Sequence, residues 1–319
     1  MLLILVDFLP KLLLRHCFDG NRDRFGRGFV EQRQAHEKTH QAWCARTGGA
    51  VQESHLFTAP HMNEGAFISM SDAQRLVRTG SDIDFSDLKA VIFNATLKHP
   101  DEPSHTDTLL DVVAKIFATQ NVGVKRHRLS AYDLPPGVYS DMTEHGWKKD
   151  DWPKLSPDVF EADIVILGTP IWLGEKSSIA QAFIEKLYAH SGETNDKGQY
   201  AFYGKVGGCV ITGNEDGIKH VAMGVLYSMS HVGLTIPPQA DCGWIGEAGP
   251  GASYGDTQED GNRTGFDNTF TQRNTTFMAF NLLHAARMLK DNGGYPAVGN
   301  VRKEWDDGCK PGWPNPEHR

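Results

Sequence analysis

Between residues 86 and 290, apolar side chains recur in two rhythms that take turns. Lys89–Ala95 (KAVIFNA) is a short β-branched run that predicts a strand. Thr106–Thr119 follows with Leu109, Leu110, Val112, Val113, Ile116 and Phe117 at helical spacing. Gly123–Leu129 predicts a second strand. Asp163–Gly168 (DIVILG) is continuously apolar, the mark of a strand buried on both faces. Ser177–His190 predicts a helix with Ile179, Phe183 and Leu187 on one side. Lys205–Gly213 (KVGGCVITG) predicts a fourth strand, and Asp216–His231 a helix carrying Ile218, Val225, Leu226 and Met229. Gly233–Ile236 reads as a short fifth strand ahead of Pro237 and Pro238, and Asp267–Lys290 as a long amphipathic helix presenting Phe277, Phe280, Leu283 and Met288. Strands alternating with helices predict an α/β fold: a doubly wound, five-stranded parallel sheet, helices on both faces, right-handed crossovers.

The chain ends depart from this alternation. Residues 1–61 hold 8 Lys and Arg against 6 Asp and Glu, five of the fourteen His (His16, His36, His40, His55 and His61), and no sustained period after Leu14. A basic, His-rich arm for a partner or metal is one reading. The reading preferred here is a low-order extension outside the native fold, with Met62 and Met70 as alternative starts, because a segment with no face to bury cannot offset its ordering entropy. Residues 62–85 are a lead-in, and 86–290 the sheet domain. Residues 291–319, rich in Gly and Pro and carrying Trp305 and Trp313, are expected to dock as an arm on a surface.

Composition narrows the function classes. A net charge of −8 over 319 residues argues against a general nucleic-acid or anionic-membrane binder. The five cysteines are scattered with no CxxC pair, which excludes a zinc ribbon, an iron–sulfur cluster of usual spacing and a disulfide framework. No metal site is expected, and a reducing, cytoplasmic setting is. The apolar opening MLLILVDFLPKLLL contains Asp7, Pro10 and Lys11, is too short to span a bilayer and lacks the features of a signal peptide, so neither membrane insertion nor export is expected.

In an open α/β sheet, ligands bind beyond the carboxyl ends of the strands, near the switch point. That rule selects the loops after Ala95, Gly168 and Thr212. The first runs from Asn94 to Thr106, with hydroxyls at Thr96, Ser104 and Thr106 and a cation at Lys98, and opens into a helix start whose N–H groups and dipole suit a phosphate. Ser104 or Thr106 acting only as a helix cap is the alternative. Neither GxxxxGK[ST] nor GxGxxG is present, so ATP and a Rossmann-bound dinucleotide are disfavoured. The second loop, Gly168–Gly174, sets Pro170, Ile171, Trp172 and Leu173 beside glycines; it forms a wall for a flat ring, or Trp172 packs into the core or a subunit contact. The third, with Thr212, Gly213, Asn214, Asp216 and Gly217, offers N–H groups to a ring edge, with Asp216 as a plain N-cap the other reading.

Phosphate, ring wall and ring edge, in chain order, resemble the flavodoxin-like flavoproteins, and within them the NAD(P)H-dependent FMN reductase and quinone reductase branch. The residues that carry the resemblance are NATLKHPDEPSHTDTLL at 94–110, GTPIWLGEKSS at 168–178 and TGNEDGIKH at 212–220, within a match over roughly 86–290. It implies a flavodoxin-like sheet of order 2-1-3-4-5, FMN as cofactor with NADPH or NADH as co-substrate, and a homodimer or homotetramer. It also implies that Thr96, Lys98, Ser104 and Thr106 hold the FMN phosphate, that Pro170, Ile171, Trp172, Leu173 and Gly174 wall the isoalloxazine, and that Thr212, Gly213, Asn214 and Gly217 meet its far side. The first loop departs from the compact electron-carrier pattern by an insertion holding Pro100 and Pro103.

The activity so implied is hydride transfer from a nicotinamide through flavin N5 to a quinone, flavin or similar small-molecule acceptor. No catalytic side chain is assigned; His220 and His231 are weak candidates for proton donors. Residues 240–266 and the Trp-containing stretch at 146–153 are candidate lids. A one-electron carrier, a non-catalytic FMN-binding protein and a flavin-free α/β domain are the rival readings. Against the last, there is no GxSxG elbow and no acidic cluster after the first strand.

Overall fold

A computed structural model describes residues 83–249 and 251–308. The extension at 1–61, most of the lead-in at 62–85 and the end of the C-terminal arm with Trp313 lie outside them. Five strands run parallel: β1 (Lys89–Asn94), β2 (Gly123–Arg128), β3 (Ile164–Trp172), β5 (Val206–Gly213) and β6 (Asp241–Ile245). A two-residue strand, β4 (Glu175–Lys176), folds back antiparallel on the end of β3. The order is β2-β1-β3-β5-β6, which is 2-1-3-4-5 when the parallel strands alone are counted. The helices are α1 (His105–Thr119), α2 (Trp152–Glu161), α3 (Ser178–Tyr188), α4 (Ile218–His231), α5 (Thr269–Asp291) and the single turn α6 (Arg302–Asp306).

Alternate side chains of the central strands feed two cores. Val91, Phe93, Val165, Leu167, Cys209 and Ile211 join Leu155, Phe183 and Val225 of α2, α3 and α4. Ala90, Ile92, Ile164, Ile166, Val210 and Cys242 join Leu110, Phe117, Met278 and Leu282 of α1 and α5. A sheet covered on both faces explains why its strands read as unbroken apolar runs, and each fully buried aliphatic or Phe side chain is worth roughly 1.5–3 kcal/mol.

Four expectations change. The fifth strand is not Gly233–Ile236 but Asp241–Ile245. Thr235 makes one lone parallel bridge to Val206, and Pro237 and Pro238 then supply no N–H to continue it. Second, α2 forms although its sequence holds two prolines. Pro153 sits in the first turn, where no intrahelical donor is needed, and Trp152, Leu155 and Val159 bury one face. Trp152 is therefore a core residue, not part of a lid; its Nε1 donates to His190 Nε2 at 2.9 Å. Third, the buried face of α5 is Met278, Ala279, Leu282, Leu283, Ala285 and Ala286, whereas Phe277 and Met288 are exposed. Gly208 makes this possible, because a Cβ there would lie 2.9 Å from Leu282 Cδ1. Fourth, α4 is capped by Gly217, not Asp216.

A polar post joins the β2–α2 connection to α3. Asp150 accepts N–H bonds from Met142 (3.0 Å) and Trp152 (2.9 Å) and pairs with the Lys186 ammonium, both side chains being fully buried. The described part of the C-terminal arm lies on the segment before β5. Gln199 Nε2 donates to Pro296 O (3.2 Å) and Asn300 Oδ1 (3.1 Å), and the Arg302 guanidinium stacks over Tyr200. No helix among the described residues is long and apolar enough to cross a membrane.

Burial also makes two thiols inert. The Cys242 thiol is pushed up to about 12 and that of Cys209 well above its ordinary value, because a thiolate would be desolvated in the core. Iodoacetamide added to the native chain is expected to leave both unmodified until denaturant is present, as read by peptide mass mapping. Labelling of either in the native state would contradict this packing.

Candidate functional site

Loop 1 leaves β1 at Asn94 and re-enters regular structure at α1, and it is held by its own side chains. Asn94 Oδ1 accepts the Thr96 N–H at 3.0 Å, and its amide donates to Ser104 Oγ at 3.3 Å. Ser104 caps α1 by accepting the Asp107 N–H at 3.2 Å. Thr96, Ser104 and Thr106 are all buried. Thr106 Oγ1 meets Thr212 Oγ1 at 2.7 Å, which ties loop 1 to loop 3. These hydroxyls keep donor capacity. Ser104 Oγ accepts twice, and Thr96 Oγ1 accepts from the Lys98 N–H, with no acceptor for either proton among the described residues. In the Thr106–Thr212 pair only one of two protons is used. Lys98 is exposed and gives one bond, to Pro103 O at 3.1 Å.

The sequence reading missed Arg128, the last residue of β2. Its guanidinium donates to the carbonyls of Glu102 (2.7 Å), His99 (2.7 Å) and Lys98 (3.3 Å). Two of these carbonyls precede Pro100 and Pro103, so those peptides have no N–H left to satisfy. The insertion that sets this loop apart is thus folded onto one cation.

Loop 2 is shorter than expected. β3 continues through Pro170 and Ile171 to Trp172, and the turn proper is Leu173-Gly174, both at positive φ (+53° and +77°), between the paired residues Trp172 and Glu175. Ile171 is buried beneath Gly213, whereas Trp172 and Leu173 are 54% and 94% exposed. Loop 3 packs directly on this turn. Glu215 Oε1 accepts the Leu173 N–H at 3.0 Å, His220 Nε2 meets Glu175 Oε1 at 2.7 Å, and Gly217 lies so close that a Cβ would stand 2.7 Å from Gly174 Cα. Gly217 also holds φ at +122°. Gly217→Ala is expected to lower stability by about 1–3 kcal/mol through combined clash and backbone strain. Thermal melting checks this, and an unchanged midpoint would show the contact to be loose.

The loops therefore meet at the carboxyl edge of the sheet: Thr106 touches Thr212, Asn94 links Ser104 to Thr96, and Gly217 lies against Gly174. Asn214 is different, since its side chain is bound by residues 247–253. His231 lies at the far end of α4, about 20 Å along the helix from loop 3 by its 1.5 Å rise per residue. No group of three or more His, Cys, Asp or Glu among the described residues could hold a metal.

A family model described as NADPH-dependent FMN reductase matches residues 88–243. An 8-demethyl-8-aminoriboflavin-5'-phosphate synthase from Streptomyces davaonensis is 33% identical over 209 residues, covering 64% of this chain and 79% of that protein. The chain belongs to the NADPH-dependent FMN reductase family. A crystal structure of RosB with the bound intermediate 8-demethyl-8-formylriboflavin-5'-phosphate superposes with a TM-score of 0.61 at 30% identity, covering 71% of this chain and 89% of that one. The likeness supports the flavodoxin-like fold. A divalent metal cation transporter, MntH, from Mycobacterium bovis is 54% identical over 206 residues, which is 65% of this chain but 30% of the transporter.

FMN with NAD(P)H as co-substrate is the cofactor set of this family, and the donor chemistry of loop 1 fits such a ligand. A phosphate dianion needs only donors around it. Loop 1 presents surplus hydroxyl protons, an ammonium and the N-terminus of α1, while Arg128 draws three loop carbonyls to itself.

Proposed function

We propose that the chain is an FMN-dependent NAD(P)H oxidoreductase that passes electrons to a small-molecule acceptor such as a quinone or a flavin. The observation that carries this reading is the cluster of buried hydroxyls with unused protons at the start of α1, in a chain of this family. In this reading Thr96, Lys98, Ser104 and Thr106 bind the phosphate. Pro170, Ile171, Trp172, Leu173 and Gly174 flank the ring, and Thr212, Gly213 and Gly217 offer backbone to its edge. Bound there, FMN would supply two-electron hydride chemistry between NAD(P)H and the acceptor. Loops 2 and 3 would hold the ring, and the two substrates would use it in turn.

The test is spectroscopic. Purified chain loaded with FMN is expected to bleach on anaerobic addition of NADH or NADPH, to recolour with a quinone, and to turn over with ping-pong kinetics. Bleaching without turnover would instead make it a carrier, and FMN that no nicotinamide bleaches would make it a binding protein.

The Streptomyces synthase favours a second reading, in which FMN is the substrate and leaves chemically altered at the ring methyl. Mass spectrometry of the flavin after turnover separates the two: unchanged FMN supports the reductase. A second copy of the chain is the partner that best covers Trp172, Leu173, Met223 and Tyr227, large apolar side chains left exposed on loop 2 and α4. Light scattering of the purified chain reads the mass, and a monomer at working concentration overturns that part.

A further inference from the structure

Every polar atom of the Asn214 side chain is engaged by one short stretch of chain. Its amide nitrogen lies 3.0 Å from Ala252 O and 3.1 Å from Gly251 O, and its Oδ1 accepts from Ser253 Oγ at 3.0 Å. Gly246, at the end of β6, leaves room for this, because a Cβ there would stand 2.7 Å from Asn214 Nδ2. At the next residue the same stretch is held a second time, by the start of α1. His105 Nδ1 bonds Tyr254 O at 3.0 Å and faces the Asp256 carboxylate at 3.6 Å. A carbonyl only accepts, so Nδ1 carries the proton. Gly255, at φ +83°, brings the backbone so close to α1 that a Cβ would meet the Thr108 methyl at 2.8 Å. Tyr254 is buried against Trp244 and Phe266. Within the stretch, Asp256 Oδ2 accepts the Ser253 N–H at 2.7 Å.

One anchor belongs to loop 3, the other to the first residue of α1, next to Ser104. The anchored positions, 251–253 and 254, are one to three residues apart in the chain, at most about 10 Å. Residues 251–256 are thus bonded both to loop 3 and to the start of α1, the two segments that the proposed function gives to the ring and the phosphate. We propose that Asn214 is a positioning residue and that the strap 251–256, fixed by Asn214 and His105, governs how fast FMN leaves the site. This rests on the functional reading above and deepens it. Asn214 then acts through the strap, not by touching the ring with its side chain.

Asn214→Ala, with Ser253→Ala as a milder variant that removes one of the bonds, tests it by two measurements. Hydrogen exchange of peptides covering 251–256 is read on the flavin-free chain, and FMN and riboflavin release by stopped-flow fluorescence on the loaded chain. The expected result for Asn214→Ala is faster exchange in the strap together with at least tenfold faster release of both flavins, with association little changed. Ser253→Ala is expected to move both readouts in the same direction by less. Faster exchange with unchanged release overturns the strap's role, and faster release with unchanged exchange shows that Asn214 acts on the flavin directly. A parent chain that takes up no FMN at all overturns the functional reading, and the strap's role with it. Failure confined to the variants overturns the strap alone.

Discussion

Replacing Lys98 and Ser104 together by alanine is expected to weaken FMN binding about 100-fold or more, while riboflavin binding stays close to that of the parent. Ser104 Oγ accepts from the Asn94 amide and the Asp107 N–H and keeps its own proton for a ligand. The Lys98 ammonium gives one proton to Pro103 O and has two left. A hydrogen bond to a charged group contributes about 1.5–3 kcal/mol, and exposed Lys98 belongs at the lower end of that range. Two such losses fall on the phosphate of FMN and on nothing in riboflavin, which ends in a hydroxyl. Loss of the Ser104 cap costs α1 about 1 kcal/mol on its own, so a melting curve of the free variant serves as the control. Calorimetric titration of both flavins decides the matter, and equal loss of affinity for the two would mean that loop 1 does not read the phosphate.

What could be read beforehand follows from where each signal resides. DIVILG and KVGGCVITG announce themselves because a strand covered on both faces can carry no polar alternation. The edge strand DCGWI buries only Cys242 and Trp244 strongly, and its Asp and Gly mimic a loop. In α5 the buried face is built partly from Ala279, Ala285 and Ala286, whose small side chains weigh less in a hydrophobic pattern than exposed Phe277 and Met288. The loop positions came from topology, since chain order alone says which strand ends converge. Arg128 carries no signal in the sequence, and Asn214 signals a ring edge but not the strap it holds, for a different reason. Their partners are backbone carbonyls some thirty residues away, and no residue-type pattern encodes a carbonyl. Pro100 and Pro103 were the one available hint: an X–Pro peptide offers an acceptor without a donor, and two within four residues invite a cation from elsewhere in the chain.

Lys186→Met is expected to be the most destabilising of these substitutions, by about 3–5 kcal/mol, because it leaves a buried carboxylate without its counter-charge. Asp150 and Lys186 are both completely shielded from solvent, and the carboxylate also receives the Met142 and Trp152 N–H groups. It therefore fixes the 3-10 turn at Met142–His145 and the first residue of α2, while Lys186 belongs to α3. Methionine matches the length of the lysine stem, so packing changes little and the charge is isolated as the cause. At about 2–4 °C per kcal/mol for a domain of this size, the melting midpoint should fall by about 10 °C. Adding Asp150→Asn to Lys186→Met removes the unpaired charge and keeps an oxygen for one of the two N–H groups, so the double variant is expected to melt above Lys186→Met alone. Asp150→Asn by itself strands the ammonium instead and is expected to melt below the parent. A cycle in which the two single effects simply add would show that the pair is not electrostatically coupled and that α2 and α3 are joined by apolar packing alone.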